Sequence, residues 1–139
     1  MRPPALNRTQ ALVLAFLVAA WLALLAILLL APEIYDRGLG AAGGTVAARA
    51  GFLAAVSLFV GLVGLGVIRR WRWTFWLVVV AFLAGALRVV ASALQLAGVL
   101  PSADPAWYVV LQGSIGLAQV PIGVAMLVGY RRGGPWAPF

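Results

Sequence analysis

The sequence predicts an all-α integral membrane protein, a four-transmembrane-helix bundle with both termini in the cytoplasm. Three observations predict it. Of 139 residues, 65% are hydrophobic and 9% charged, with a mean hydropathy of +1.08, whereas soluble domains are about half apolar and about a quarter charged. Four apolar runs, near 11–31, 45–68, 74–98 and 106–130, each reach the ~20 residues that cross a hydrocarbon core. The arginines are lopsided: Arg2, Arg8, Arg69, Arg70, Arg72, Arg131 and Arg132 fall on one side of such a bundle, and Arg37 alone in the opposite loops. The positive-inside rule turns that asymmetry into an orientation.

The first run follows the basic leader MRPPALNRTQ and holds no charge from Ala11 to Ala31. A cleavable signal has an apolar core of about 7 to 15 residues, so this longer run is read as a span. Ala11, Ala15, Ala19 and Ala23 recur at every fourth position, a smooth stripe suited to close helix packing. Pro32 and the glycines at 38, 40, 43 and 44 then predict a loop, with Tyr35 at the membrane interface.

Ser57, Gly61 and Gly64 give the second span small residues for helix contact. Arg69 to Trp73, RRWRW, reads as a tight turn at the headgroup level, with indoles at the boundary and guanidiniums toward phosphates. The third span is expected as one helix from Thr74 to Gly98, followed by a hairpin at LPSADP, Leu100 to Pro105. The fourth contains Pro121, which predicts a kink because proline removes a helical hydrogen bond. The tail GGPWAPF is too short to fold by itself. Together these make a single four-helix transmembrane domain over 1–139, with little extramembrane mass.

Composition also bounds the chemistry. Cysteine and histidine are absent, and methionine occurs only at Met1 and Met126, which excludes thiol chemistry, Cys/His zinc sites and histidine-ligated haem. With Glu33, Asp36 and Asp104 as the only acids, carboxylate catalysis and all-carboxylate metal sites have few candidates. The expectation is no cofactor and no metal. The pI of 11.6 does not argue for nucleic acid, since the arginines flank the spans, where topology accounts for them.

Arg88 is the residue that needs an explanation. It lies well inside the third span, where a guanidinium costs about 3 kcal/mol on insertion scales unless it faces protein, water or a counter-charge. By helix rise, Arg88, Arg49 and Gln112 all fall in the outer half of the bundle, and Glu33 and Asp36 lie at the outer end of the first span. Gly85, Arg88, Ser92 and Gln95 share one face of the third helix; Tyr108, Gln112, Gly116, Gln119 and Gly123 share one face of the fourth. Those two faces should turn inward and meet. The candidate ligand-binding residues are therefore Arg88, Arg49, Glu33, Gln112, Ser92 and Gln95.

Two readings of this set stand side by side. In one, the arginines pair with Glu33, Asp36 or helix-end carbonyls, and the polar residues only specify helix packing. In the other, cations outnumber nearby acids and leave an outward pocket for an anionic or lipid-like molecule.

Leu30-Ala31-Pro32-Glu33, Ala48-Arg49-Ala50-Gly51, and Gly85, Arg88 and Ser92 with Gly98 resemble the BphX-like family of small four-helix bacterial membrane proteins, and more distantly DoxX-type proteins. The resemblance implies a four-helix membrane fold with no firmly assigned activity, and makes Glu33, Arg49 and Arg88 the positions to test. Other small families fit less well: small multidrug transporters use a glutamate in the first helix, where this chain has none, and dual-topology fluoride channels need weak charge bias.

The expected function is a non-enzymatic binding or accessory protein of a bacterial-type inner membrane. A small oligomeric transporter or channel, or an isomerase-type enzyme on a lipophilic substrate, are the alternatives. Expected partners are membrane lipid, an anionic or lipophilic small molecule, and either further copies of the chain or a larger membrane complex.

Overall fold

The computed structural model describes residues 5–139; Arg2 lies outside them. Among the described residues there are helices and no strand. Helix α1 is Arg8–Leu30, α2 Pro32–Leu39, α3 Val46–Ile68, α4 Arg72–Leu83, α5 Gly85–Leu96 and α6 Ala106–Gly133, with a 3₁₀ turn Gly40–Ala42 after α2. Four stretches are long and apolar enough to cross a membrane: α1, α3, α4 with α5 (Arg72–Leu96), and α6. The protein is thus a multi-pass, all-helical membrane protein by length and composition. Large apolar side chains such as Leu30, Leu58, Leu87 and Leu117 lie exposed, the surface that hydrocarbon solvates.

The chain divides into two compact units, one of Met1–Val13 with Gly66–Phe139, the other Leu14–Leu65. In the second, α1 and α3 are tied by Trp21, whose Nε1 donates to Ser57 Oγ at 2.8 Å, while Ser57 Oγ donates to Leu53 O at 2.7 Å. A serine hydroxyl can serve both ways, so neither polar group is left to lipid. Gly64 faces Leu14. Of the alanine stripe, Ala11, Ala15 and Ala19 are exposed and Ala23 is half-buried; the α1 contact with α3 includes Trp21 and Leu14.

The loop expected after α1 contains the helix α2. Pro32 stands at its first turn, where the missing N–H costs nothing and the fixed φ suits the helix. Glu33 lies in the first turn and Arg37 in the last, both favourable to the helix dipole. Tyr35, expected at the membrane interface, is buried. Its hydroxyl donates to Leu24 O at 2.6 Å and its ring meets Phe52 edge-on, with centroids 5.4 Å apart.

In the first unit, α5 and α6 pack antiparallel through the two small-residue faces. A Cβ on Gly85 would come within 2.9 Å of Gly116 O and of Gln119 Cβ; one on Gly113 would lie 3.1 Å from Ser92 Cβ; one on Gly123 would touch Leu83 and Phe82. Backbone-to-backbone approach at Gly85 and Gly116 is possible only without side chains. At this crossing the third span is not one helix: it breaks at Ala84, where Leu87 N bonds Ala84 O at 3.0 Å in an i to i+3 tightening. Helix α6, by contrast, is continuous through Pro121. Gly116→Ala should overpack this crossing and cost about 1–3 kcal/mol, measurable as a lower unfolding midpoint in detergent.

The α3–α4 turn is as tight as RRWRW predicts. Arg70 takes a left-handed φ of 57°, Trp71 N bonds Gly66 O at 2.9 Å and Arg70 N bonds Val67 O at 3.2 Å, the paired bonds of a Schellman cap. Gly66 makes room for Thr74, whose side chain would overlap any Cβ there. Thr74 Oγ1 is buried and, among the described residues, has no hydrogen-bond partner. An unsatisfied buried hydroxyl costs about 1–3 kcal/mol, so Thr74→Val is expected to raise the unfolding midpoint rather than lower it.

The tail does not fold by itself; it docks. Trp136 is 1% exposed; its Nε1 donates to Trp71 O at 2.9 Å, and Asn7 Nδ2 donates to Trp136 O at 2.6 Å. Thr9 Oγ1 donates to Ala137 O at 3.0 Å. Phe75 lies against both Trp136 and Tyr130, with centroids 5.4 and 5.6 Å away. Gln10 completes the joint: it exchanges bonds with Asn7 across the α1 N-terminus, and its Nε2 donates to Val67 O at 2.7 Å. That reciprocal pair is the geometry of a capping box.

Candidate ligand-binding site

The two cations that sequence reasoning grouped together have different surroundings. Arg49, at the start of α3, forms a two-bonded pair with Asp36 of α2: Nε to Oδ1 at 2.9 Å and Nη2 to Oδ2 at 2.6 Å. Gly44 N–H also donates to Asp36 Oδ1, at 2.8 Å. The fork of the guanidinium matches a carboxylate in this way, and the pair joins α2 and the glycine-rich connection to α3. Glu33 is exposed on α2 in the same unit. Arg49 thus takes one of the partners that a packing role predicts for it.

The Arg49 guanidinium and the Gly44 N–H both hold the Asp36 carboxyl below its ordinary value. The sign follows directly. A carboxyl whose folded pKa lies below its unfolded value, about 3.9, adds stability that is complete above the unfolded value and is lost as pH falls through the folded one. The wild-type unfolding midpoint should therefore drop as pH is lowered from about 5 through the acid range, and Asp36→Asn should flatten that part of the profile.

Arg88 stands apart. It is exposed on α5, about eight residues or ~12 Å before the end of that helix. Its Cβ borders the glycine crossing, 3.3 Å from where a Gly116 Cβ would sit. The only acid in its unit is Asp104, in the connection between α5 and α6. No hydrogen bond or ion pair joins Arg88 to a described residue of that unit. Ser92, one turn on, is buried against Gly113. Gln95 and Gln112 are half-buried on α5 and α6.

The side chains of Ser92, Gln95 and Gln112 likewise make no hydrogen bond within the unit among the described residues. The hairpin thus gathers a cation, a hydroxyl and two amides along one helix pair. Such groups cost free energy in hydrocarbon until something bonds them. Compared with models of protein families, with curated proteins and with solved structures, the chain has no significant match.

Sequence reasoning found Arg88, Ser92, Gln95 and Gln112 by helical spacing, and the structure sets all four on the α5–α6 hairpin. Glu33 and Arg49 belong to the other unit. What sequence reasoning missed is Gln119, whose Cβ and Oε1 reach the Gly85 crossing. It lies on the polar stripe of α6 but not among the residues that spacing marks for the site.

Proposed function

We propose that this chain is a non-enzymatic binding or accessory protein, and that the α5–α6 hairpin takes an anionic or lipid-like molecule through Arg88. The observation that carries this reading is the contrast between the two arginines: Arg49 is neutralised by Asp36, and Arg88 makes no ion pair or hydrogen bond with a described residue of its own unit. A guanidinium at membrane depth is tolerated where it meets water, protein or a counter-charge, and a carboxylate or phosphate group would supply that charge with a forked pair of hydrogen bonds. Ser92, Gln95 and Gln112 would then orient the uncharged part of the ligand. Cytoplasmic termini in a bacterial-type inner membrane, and the kinship with BphX-like proteins, belong to the same proposal. In that orientation the Arg88 site opens outward.

The test is a thermal-shift titration of the detergent-solubilised full chain with oleate, a carboxylate on an apolar tail. A ligand at a hundred times its Kd raises folded-state stability by about 2.7 kcal/mol. The wild type should shift upward with oleate and Arg88→Gln should not. Equal shifts in both would count against the proposal. Flux of the same anion in proteoliposomes, lost in Arg88→Gln, would favour the transporter reading over simple binding.

A further inference from the structure

The docked tail gathers basic residues at its own end of this unit. Arg8 begins α1, Arg69, Arg70 and Arg72 form the α3–α4 turn, and Arg131 and Arg132 close α6. These segments are far apart in sequence, yet one hydrogen-bonded joint holds them together: Gln10 to Val67, Trp136 to Trp71, Asn7 to Trp136, and Thr9 to Ala137. All six arginines are exposed.

No acid of this unit lies at this end. Asp104 sits before the start of α6, a helix whose 28 residues separate it from Arg131 and Arg132 by about 40 Å. Arg70 is held in place by its Nε, which donates to Gln10 Oε1 at 3.2 Å, leaving its terminal amino groups for another acceptor. Trp73, exposed, and Tyr130, half-buried, flank the arginines, the residue types that settle at a headgroup boundary.

We infer that this end of the protein is an assembled binding surface for anionic phospholipid, built by the tail from three separate basic segments and dependent on Trp136 for its form. Charge complementarity names the occupant. Six exposed guanidiniums with no acid of their own unit beside them fit a leaflet of phosphate headgroups bearing net negative charge, and each basic side chain near such a surface strengthens binding by about fivefold. A diffuse basic flank would depend only on the number of arginines. An assembled surface depends also on the joint that holds them together, and this distinguishes the two.

The experiment is native mass spectrometry of the full chain released from mixed micelles of phosphatidylglycerol and phosphatidylcholine. The wild type should retain phosphatidylglycerol in preference to phosphatidylcholine. Arg69→Gln/Arg72→Gln/Arg131→Gln/Arg132→Gln, which leaves the Gln10 bonds intact, should cut that preference by at least about tenfold. Trp136→Phe keeps every charge but loses the bond to Trp71 O, and should reduce the preference as well; Asn7→Ala serves the same purpose should Trp136→Phe fail to fold. Made also in an Arg88→Gln background, the same comparison removes any contribution of the α5–α6 site to phosphatidylglycerol retention. Equal retention of the two lipids by the wild type would overturn the inference, and needs no variant. So would a preference that follows charge number alone and ignores the joint.

Discussion

Replacing Arg88 by leucine is expected to do two opposite things. In ligand-free protein it should stabilise the fold or its insertion by about 2–3 kcal/mol, because it removes a guanidinium at membrane depth that makes no ion pair or hydrogen bond with a described residue of its own unit. In the presence of an anionic amphiphile it should abolish the ligand-dependent gain in stability. A residue needed only for packing would behave otherwise: Arg88→Leu would lower stability whether or not ligand was present. Unfolding midpoints in detergent, with and without oleate, read both effects. The paired Arg49 supplies the comparison, since Arg49→Leu leaves Asp36 without its guanidinium and should destabilise under either condition.

The second large effect belongs to Trp136. Truncating a buried tryptophan to alanine costs about 3–5 kcal/mol, and this one also donates to Trp71 O and lies edge-on to Phe75. Trp136→Ala should therefore lower the unfolding midpoint more than any other change in the tail. It should also free the last residues for proteolysis, because Ala137 O would lose its ordered approach to Gly129 and its bond from Thr9. Limited digestion that trims the variant and spares the wild type is the expected result. A tail equally resistant in both would mean that the Trp136 contacts do not hold it.

How legible all this was in the sequence depended on the range of the interaction. The spans were legible because hydropathy and length are local properties: α1, α3 and α6 begin or end within a few residues of the expected runs. The meeting of the Gly85 and Gly116 faces was also legible, since helical spacing places small residues on one line. The break at Ala84 was not, because it arises where a partner helix presses on a glycine, and nothing in VVVAFLAGALRVV alone marks it. Helix α2 was hidden because proline and glycine read as breakers; Pro32 instead opens the helix and Gly40 closes it.

The site divides along the same line. That Arg49 finds Asp36 was among the pairings weighed from sequence, since both lie near the same span ends. Which arginine would be satisfied and which left open depended on the fold of the 32–45 connection, which positions Asp36 and Gly44 together. The burial of Trp136 was illegible for a simpler reason: its partners Asn7 and Trp71 are 129 and 65 residues away, and a GGPWAPF tail has no periodicity that points to them.

The central claim is that Arg88, and not Arg49, is the open cation of a binding site. Native mass spectrometry of the wild type, Arg88→Ala and Arg49→Ala, each released gently from detergent, tests it most directly. The account predicts a discrete anionic adduct on the wild type and on whatever fraction of Arg49→Ala stays folded, and its loss from well-folded Arg88→Ala. The same adduct surviving in Arg88→Ala, phospholipid held by the basic end aside, or three proteins that all fly bare, would contradict it.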